Sequence, residues 1–279
     1  MRTVLVVANE TLGGRPLIDA VRRKAEEEET RFVLCVPQTR PRAGYVIYDD
    51  SVFDAAQTRV DLAVGFVRSE GMDAVGEVGD PDPYAATMDA VREYGPDAII
   101  ISTYPESRSG WQRGDLVDRI RQASGLPVEH VVADLDSDGL SFHVTLAVAN
   151  RTASGDELLD FLKAQAQAEG DRRERLFIVL VPQEGGGGGA AQRARTRLSL
   201  VVRRLHDAGL TASGMVGDPD PFTAIMNALQ WFRVDDIVIS TLPETKSGWL
   251  RADLIDRVRS ASQKPIEHIV HDDPVRATQ

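Results

Sequence analysis

Cysteine is almost missing from this chain of 279 residues, and the one copy, Cys35, has no partner for an internal disulfide. No Cys/His cluster has zinc-ligand spacing either, so a reducing, cytoplasmic setting is expected and no metal. Long apolar runs are missing too: the stretch after Met1 spans only Val4 to Ala8 before the polar Asn9 and Glu10. That is too short for a signal peptide or a membrane span, and no membrane partner is expected. Positive charge is in deficit, with 32 basic residues against 43 acidic ones and a net charge of −11. Nucleic acid is therefore disfavoured as a partner, although a local basic pocket is compatible with that balance. HExxH, CxxC, a Ser-His-Asp order and a GxGxxG fingerprint after the first apolar run are all absent. No nucleophile and base recur as a pair, so no catalytic residue is assigned and a non-enzyme is expected. What is present, 42% hydrophobic and 27% charged residues, suffices for two domains of ordinary size.

The chain repeats itself. Gly76 to Val132 returns as Gly214 to Val270 at a constant offset of 138 positions, with 32 identities in 57 positions. Upstream the match weakens and the offset drifts: Ala8-Asn9 answers Ala149-Asn150, and Val36-Pro37-Gln38 answers Val181-Pro182-Gln183. The polar stretch Asp134 to Leu140, with Gly139, reads as a linker, giving domains 1-134 and 141-273.

Within each half, short β-rich runs alternate with stretches of helical period, the pattern of βαβ units around a parallel sheet. The strands predicted are Thr3–Ala8, Arg31–Val36, Ala74–Val78, Ala98–Ser102 and Val128–Val132, then His143–Ala149, Leu176–Val181, Ala212–Val216, Ile237–Ser240 and Ile266–Val270. Runs such as AIII and FIVLV lack alternation because central parallel strands are covered on both faces. Leu116, Ile120 and Ala123, repeated by Leu254, Val258 and Ala261, predict an amphipathic helix before the last strand of each half. Thr39 to Asp50 is a long connection; its counterpart, the run Gly185 to Gly189, has no Lys-Ser/Thr after it and reads as a flexible linker rather than a phosphate loop.

Three constellations could carry chemistry. GDPDP, Gly79 to Pro83 and Gly217 to Pro221, fits an N-cap Asp followed by Pro at the first helical position, with glycine supplying an unusual φ. The same loops lie where open α/β sheets bind ligands, beside Val36 and Val181 at the ends of the second strands. After the fourth strand come STYPESRSGWQRGDL and STLPETKSGWLRADL. There Ser102, Thr103, Arg108 and Arg113, matched by Ser240, Thr241, Lys246 and Arg251, suit a phosphate cradle. The competing reading has Trp111 and Trp249 packing on the sheet and the basic residues pairing with Glu106, Asp115, Glu244 and Asp253. Glu129-His130 and Glu267-His268 invite talk of metal or acid-base chemistry. Adjacent strand residues point to opposite faces, however, so polar edge residues at a domain interface are the simpler account. Asn9 and Asn150 end the first strands, and Thr11 and Thr152 stand ready to cap the next helix.

These residues resemble the universal stress protein family over nearly the whole chain. The similarity lies in Val4 to Asn9, Val78 to Pro81, Asp97 to Ser102, Ser109 to Asp115 and Pro127 to Val131, with their partners in the second half. It implies two tandem Rossmann-like domains, each a five-stranded parallel sheet in the order 3-2-1-4-5 with helices on both faces. It also implies pairing of the halves through their fifth strands, an intramolecular pseudo-dimer. Many members bind ATP through a G-x2-G-x9-G-S/T loop after the fourth strand, with an Asp ending the first. Here Ser102 and Ser240 open that loop, Pro105 and Pro243 replace the second Gly, and the closing Gly114 is Ala252 in the second half. Asp115 and Asp253 follow, and the first-strand Asp is Asn9 or Asn150. Each change removes a close backbone approach or adds a carboxylate beside a triphosphate, so ordinary ATP binding is expected to be weak.

The reading is a stress-response-type protein binding a nucleotide or a phosphate-like anion, with no cofactor demanded. The alternatives are a ligand-free interaction module of the same fold and, least favoured, an enzyme of phosphate or nucleotide chemistry.

Overall fold

A computed structural model describes residues 1–38, 49–105, 115–153, 155–168, 171–185, 188–243 and 253–271. The chain divides into two units, the first running to Phe142 and the second beginning at His143. In the first, β1 (Arg2–Val7), α1 (Arg15–Glu27), β2 (Thr30–Pro37), α2 (Asp49–Ser69), β3 (Asp73–Gly79), α3 (Pro83–Tyr94), β4 (Ala98–Thr103), α4 (Leu116–Ser124) and β5 (Val128–Val132) follow one another. The second has β6 (His143–Val148), α5 (Asp156–Gln167), β7 (Arg175–Pro182), α6 (Gly188–Asp207), β8 (Ala212–Gly217), α7 (Pro221–Trp231), β9 (Asp236–Thr241), α8 (Leu254–Ser262) and β10 (Ile266–Val270). Each unit holds one five-stranded parallel sheet, ordered β3-β2-β1-β4-β5 in the first and β8-β7-β6-β9-β10 in the second. This is the α/β architecture expected from the sequence, with all ten strands found within two residues of their predicted bounds.

The central strands lack polar alternation because both faces are covered. Val4, Val6, Phe32 and Leu34 pack with Leu17, Val21 and Val60 of α1 and α2. Leu5, Val7, Val33 and Cys35 point the other way, into Ala86 and Ala90 of α3 and Leu116 and Ile120 of α4. Asp97 and Asp235 begin the fourth-strand segment in both halves, and each carboxylate accepts the backbone N–H of the second residue of the neighbouring central strand, Thr3 and Val144, at 2.8 Å.

Several local expectations need revision. The stripe on α4 and α8 is carried by Leu116 and Ile120 and by Leu254 and Val258; Ala123 and Ala261 are exposed, because each helix ends within a turn and no longer faces the sheet. Asp134 to Leu140 is an ordered turn: Ser137 and Asp138 N–H both bond Asp134 O, and Leu135 and Leu140 are buried. A bridge from Leu140 to Gly14 ties it to the first unit. Of the glycine run, Gly185 has a positive φ of 78° while Gly188 and Gly189 already belong to α6; Gly186 and Gly187, like residues 39–48, lie outside the described residues. At the amino end of the second sheet, His143 bonds both Asp171 and Asp236 at 2.9 Å, while Arg173 and Arg175 pair with the same two carboxylates.

Candidate ligand site at the strand-order reversal

In both sheets the chain leaves the central strand on opposite sides, so the strand order reverses between β1 and β4 and between β6 and β9, the place where open α/β sheets bind ligands. Asn9 and Asn150 follow β1 and β6 at this reversal and are buried. Neither side chain is idle. Asn9 Oδ1 accepts from Arg59 Nη1 at 2.8 Å, and Asn150 Oδ1 accepts from Arg197 Nη1 at 2.6 Å while its amide donates to Pro182 O at 3.0 Å.

Arg59 and Arg197 stand 138 positions apart on the second helix of each half, and the sequence reading missed both. The signal was available: Thr58-Arg59 is answered by Thr196-Arg197 when the main offset is carried upstream. Arg59 is half-buried, and burial lowers its pKa from the usual value, with Glu10 and Tyr104 opposing that shift. Arg197 also meets Glu184, whose Oε2 lies 3.2 Å from its Nη2.

Ser102 and Ser240 are the penultimate residues of β4 and β9, each 1% exposed. Thr11 and Thr152 donate to Ser102 O and Ser240 O, at 3.3 and 3.1 Å, and so staple the loop after the central strand to the next strand. They are not helix caps. The N-cap positions are Gly14 and Gly155, with no side-chain capping bond. Among the described residues Ser102 Oγ is buried without a hydrogen-bond partner, whereas Ser240 Oγ bonds Thr152 Oγ1 at 2.7 Å and His271 Nε2 at 2.6 Å.

Thr103 and Thr241 turn elsewhere, to His130 Nε2 at 2.9 Å and His268 Nε2 at 2.8 Å on the neighbouring outer strands. Burial lowers the pKa of both histidines. Glu129 meets Arg23 at 2.6 Å and Glu267 accepts from Gln165 at 3.0 Å, so the members of each Glu-His pair find separate partners inside their own unit. Among the described residues no His, Cys, Asp or Glu group is placed to hold a metal ion.

The GDPDP turns behave as caps. Asp82 accepts from Tyr84 N at 3.2 Å, and Asp220 from Thr223 N at 2.9 Å and Thr223 Oγ1 at 2.8 Å. Gly79 and Gly217 are needed for space and not for φ, which is not positive at either. A Cβ on Gly79 would lie 2.6 Å from Ala86 Cβ, and one on Gly217 2.7 Å from Ala224 Cβ. Val36 and Val181 put their side chains into the core. Arg108, Arg113, Gly114, Lys246 and Arg251 lie outside the described residues, with Trp111 and Trp249. Asp115 and Asp253, at the N-caps of α4 and α8, both adopt a left-handed φ, near 50°, a region Asp tolerates better than most residues.

No family model matches the sequence, and no curated protein matches it. Among solved structures, the chain is similar to the crystal structure of a universal stress protein from Archaeoglobus fulgidus DSM 4304, at 14% identity over 97% of each chain with a TM-score of 0.36. Among the described residues, no helix is long and apolar enough to cross a membrane.

Proposed function

We propose that the chain is a cytoplasmic, stress-response-type protein that binds a nucleotide or another small phosphate-like anion at the strand-order reversal of its first half, with a weaker counterpart in the second. The observation that carries this reading is the buried Ser102 Oγ, left without a partner at the end of β4, beside the strand whose end holds the Asn9–Arg59 pair. A buried polar group without a hydrogen bond is costly, and an anion accepting from Ser102 Oγ offsets that cost. In the second half His271 already occupies Ser240, so less is gained there. Arg108 and Arg113, in the loop that follows β4, would supply further donors.

The test begins with mass spectrometry of small molecules released from the denatured, purified protein, followed by calorimetric titration with inorganic phosphate, AMP and Mg-ATP. A charge-assisted bond contributes roughly 1.5–3 kcal/mol, so Arg59→Met should weaken binding of the anion by about tenfold to a hundredfold. Arg197→Met should change it little. Mg-ATP should bind weakly because of Pro105 and Asp115, and micromolar or tighter affinity would refute that account of the loop. No released anion and no heat with phosphate or AMP would leave the second reading, an interaction module. The observation favouring that reading is the exposure of Val132 and Val270 at matching places on the outer strands.

A further inference from the structure

Ser240, His271 and Glu157 are far apart in sequence, and the fold of the second unit draws them into one line. Ser240 Oγ lies 2.6 Å from His271 Nε2, and His271 Nδ1 lies 3.1 Å from Glu157 Oε2. Ser240 is the last residue but one of β9, His271 follows β10, where its N–H bonds Thr241 O at 2.9 Å, and Glu157 sits in the first turn of α5. Serine and histidine are 1% and 3% exposed.

The hydrogen bonds fix the direction of the proton. A carboxylate only accepts, so in the neutral imidazole Nδ1 carries the hydrogen toward Glu157 and Nε2 presents its lone pair to the serine. Thr152 Oγ1 spends its own proton on Ser240 O at 3.1 Å and therefore only accepts from Ser240 Oγ. The serine proton is thus shared between an alcohol oxygen and an imidazole nitrogen poised as a base, the arrangement that activates a serine nucleophile.

The first half supplies the comparison. Ala133 takes the position of His271, with the same backbone bond, to Thr103 O at 2.9 Å, and Pro16 takes that of Glu157. The space is filled there by apolar groups: a Cβ on Gly14 would lie 2.9 Å from Leu135 Cδ2 and 3.2 Å from Ala133 Cβ. At the matching Gly155 a Cβ would lie 2.7 Å from His271 Nδ1, so this glycine leaves room for the imidazole. The base and its carboxylate are present together in one half and absent together from the other, while both halves keep the serine.

We infer that the second half carries a serine acyl-transfer site, with Ser240 as nucleophile, His271 as general base and Glu157 as the positioning residue, acting on small activated carboxylic esters. Ser240 Oγ attacks the ester carbonyl as its proton passes to His271 Nε2. The C–O bond to the leaving alcohol breaks, and that alcohol takes the proton from His271. Water, deprotonated by the same imidazole, then hydrolyses the acyl-serine to the acid and restores Ser240.

The experiment uses the full chain and two probes, diisopropyl fluorophosphate and the smaller p-nitrophenyl acetate. With the first, Ser240 Oγ bonds phosphorus, the P–F bond breaks, fluoride leaves and the proton goes through His271 to water. One adduct is expected, on the peptide containing Ser240, with the Ser102 peptide unmodified. Ser240→Ala should abolish both the adduct and ester hydrolysis. His271→Gln should slow both by roughly 100-fold or more, the low end of what a positioned base contributes. Glu157→Gln should lower the maximal labelling rate and leave the half-saturating reagent concentration unchanged, a split that a merely structural carboxylate would not give. Circular dichroism of each variant establishes that it is folded. Absence of both adduct and hydrolysis in the wild-type chain would overturn the inference, and so would equal rates in folded His271→Gln.

Discussion

Gly79 tests whether the GDPDP turn is built for packing or for ligand. Its φ is ordinary, so Gly79→Ala imposes no left-handed strain, but the new methyl would lie 2.6 Å from Ala86 Cβ and 2.9 Å from Cys35 Sγ. Overpacking of this kind costs about 1–3 kcal/mol, against about 0.4–1 kcal/mol gained from a stiffer unfolded chain. A net loss of about 1–2 kcal/mol is expected. Ala86→Gly alone should cost about 2 kcal/mol, roughly 1 from helix propensity and 0.8 from a buried methyl. In the double variant the two methyls no longer collide. Its loss should therefore fall short of the sum of the single losses by about 1 kcal/mol or more, well outside the roughly 0.5 kcal/mol within which independent sites add.

Cys35 provides a readout confined to the first unit. It is the only cysteine, it is fully buried on β2, and burial, with Glu77 beside it, pushes its thiol up to about 12. It should resist thiol reagents until that unit unfolds, so thiol labelling along a urea series reports the first unit without assuming that both units melt together. Additive losses, or a Gly79→Ala variant of unchanged midpoint, would refute the packing argument. Unchanged stability with weakened phosphate or AMP binding would instead give Gly79 to the ligand.

Asp82→Ala and Asp220→Ala should each cost about 1 kcal/mol as lost N-caps, with Asp220 the larger because it accepts two bonds from Thr223; equal urea midpoints for wild type and variants would refute the capping role. Arg173 holds the Asp171 carboxyl well below its ordinary range, with His143 contributing and burial opposing. A lowered folded-state value means stabilisation that is complete above the unfolded value of about 4 and is lost as pH falls through the folded value. Asp171→Asn should therefore lower the urea midpoint at pH 7 and differ less from wild type at pH 3, and a difference independent of pH would refute the assignment.

The sequence by itself determined the repeat, the strands and the caps, because these rest on local pattern. An apolar run flanked by helical period reads as a buried parallel strand wherever it falls, and Asp-Pro before a helix reads as a cap without knowledge of the rest of the chain. Asp97 and Asp235 were visible as repeat positions, yet their use, bonding the N–H of the second residue of a strand 94 or 91 residues earlier, required the sheet order. The residues at the strand-order reversal were legible only where both halves keep them. Asn9, Ser102 and their partners were found because they recur, and Arg59 and Arg197 were passed over because the upstream match is thin. Tertiary structure alone decided what each does. Thr11 could have capped a helix and instead holds β4; Gly79 could have turned the chain and instead admits α3. Most hidden was His271, whose counterpart is Ala133: comparison of the halves removes it from view, and nothing local ties it to Ser240 or Glu157. A side-chain relay needs atoms within hydrogen-bond reach, and in a parallel sheet that reach joins the ends of strands that the chain visits a whole crossover apart.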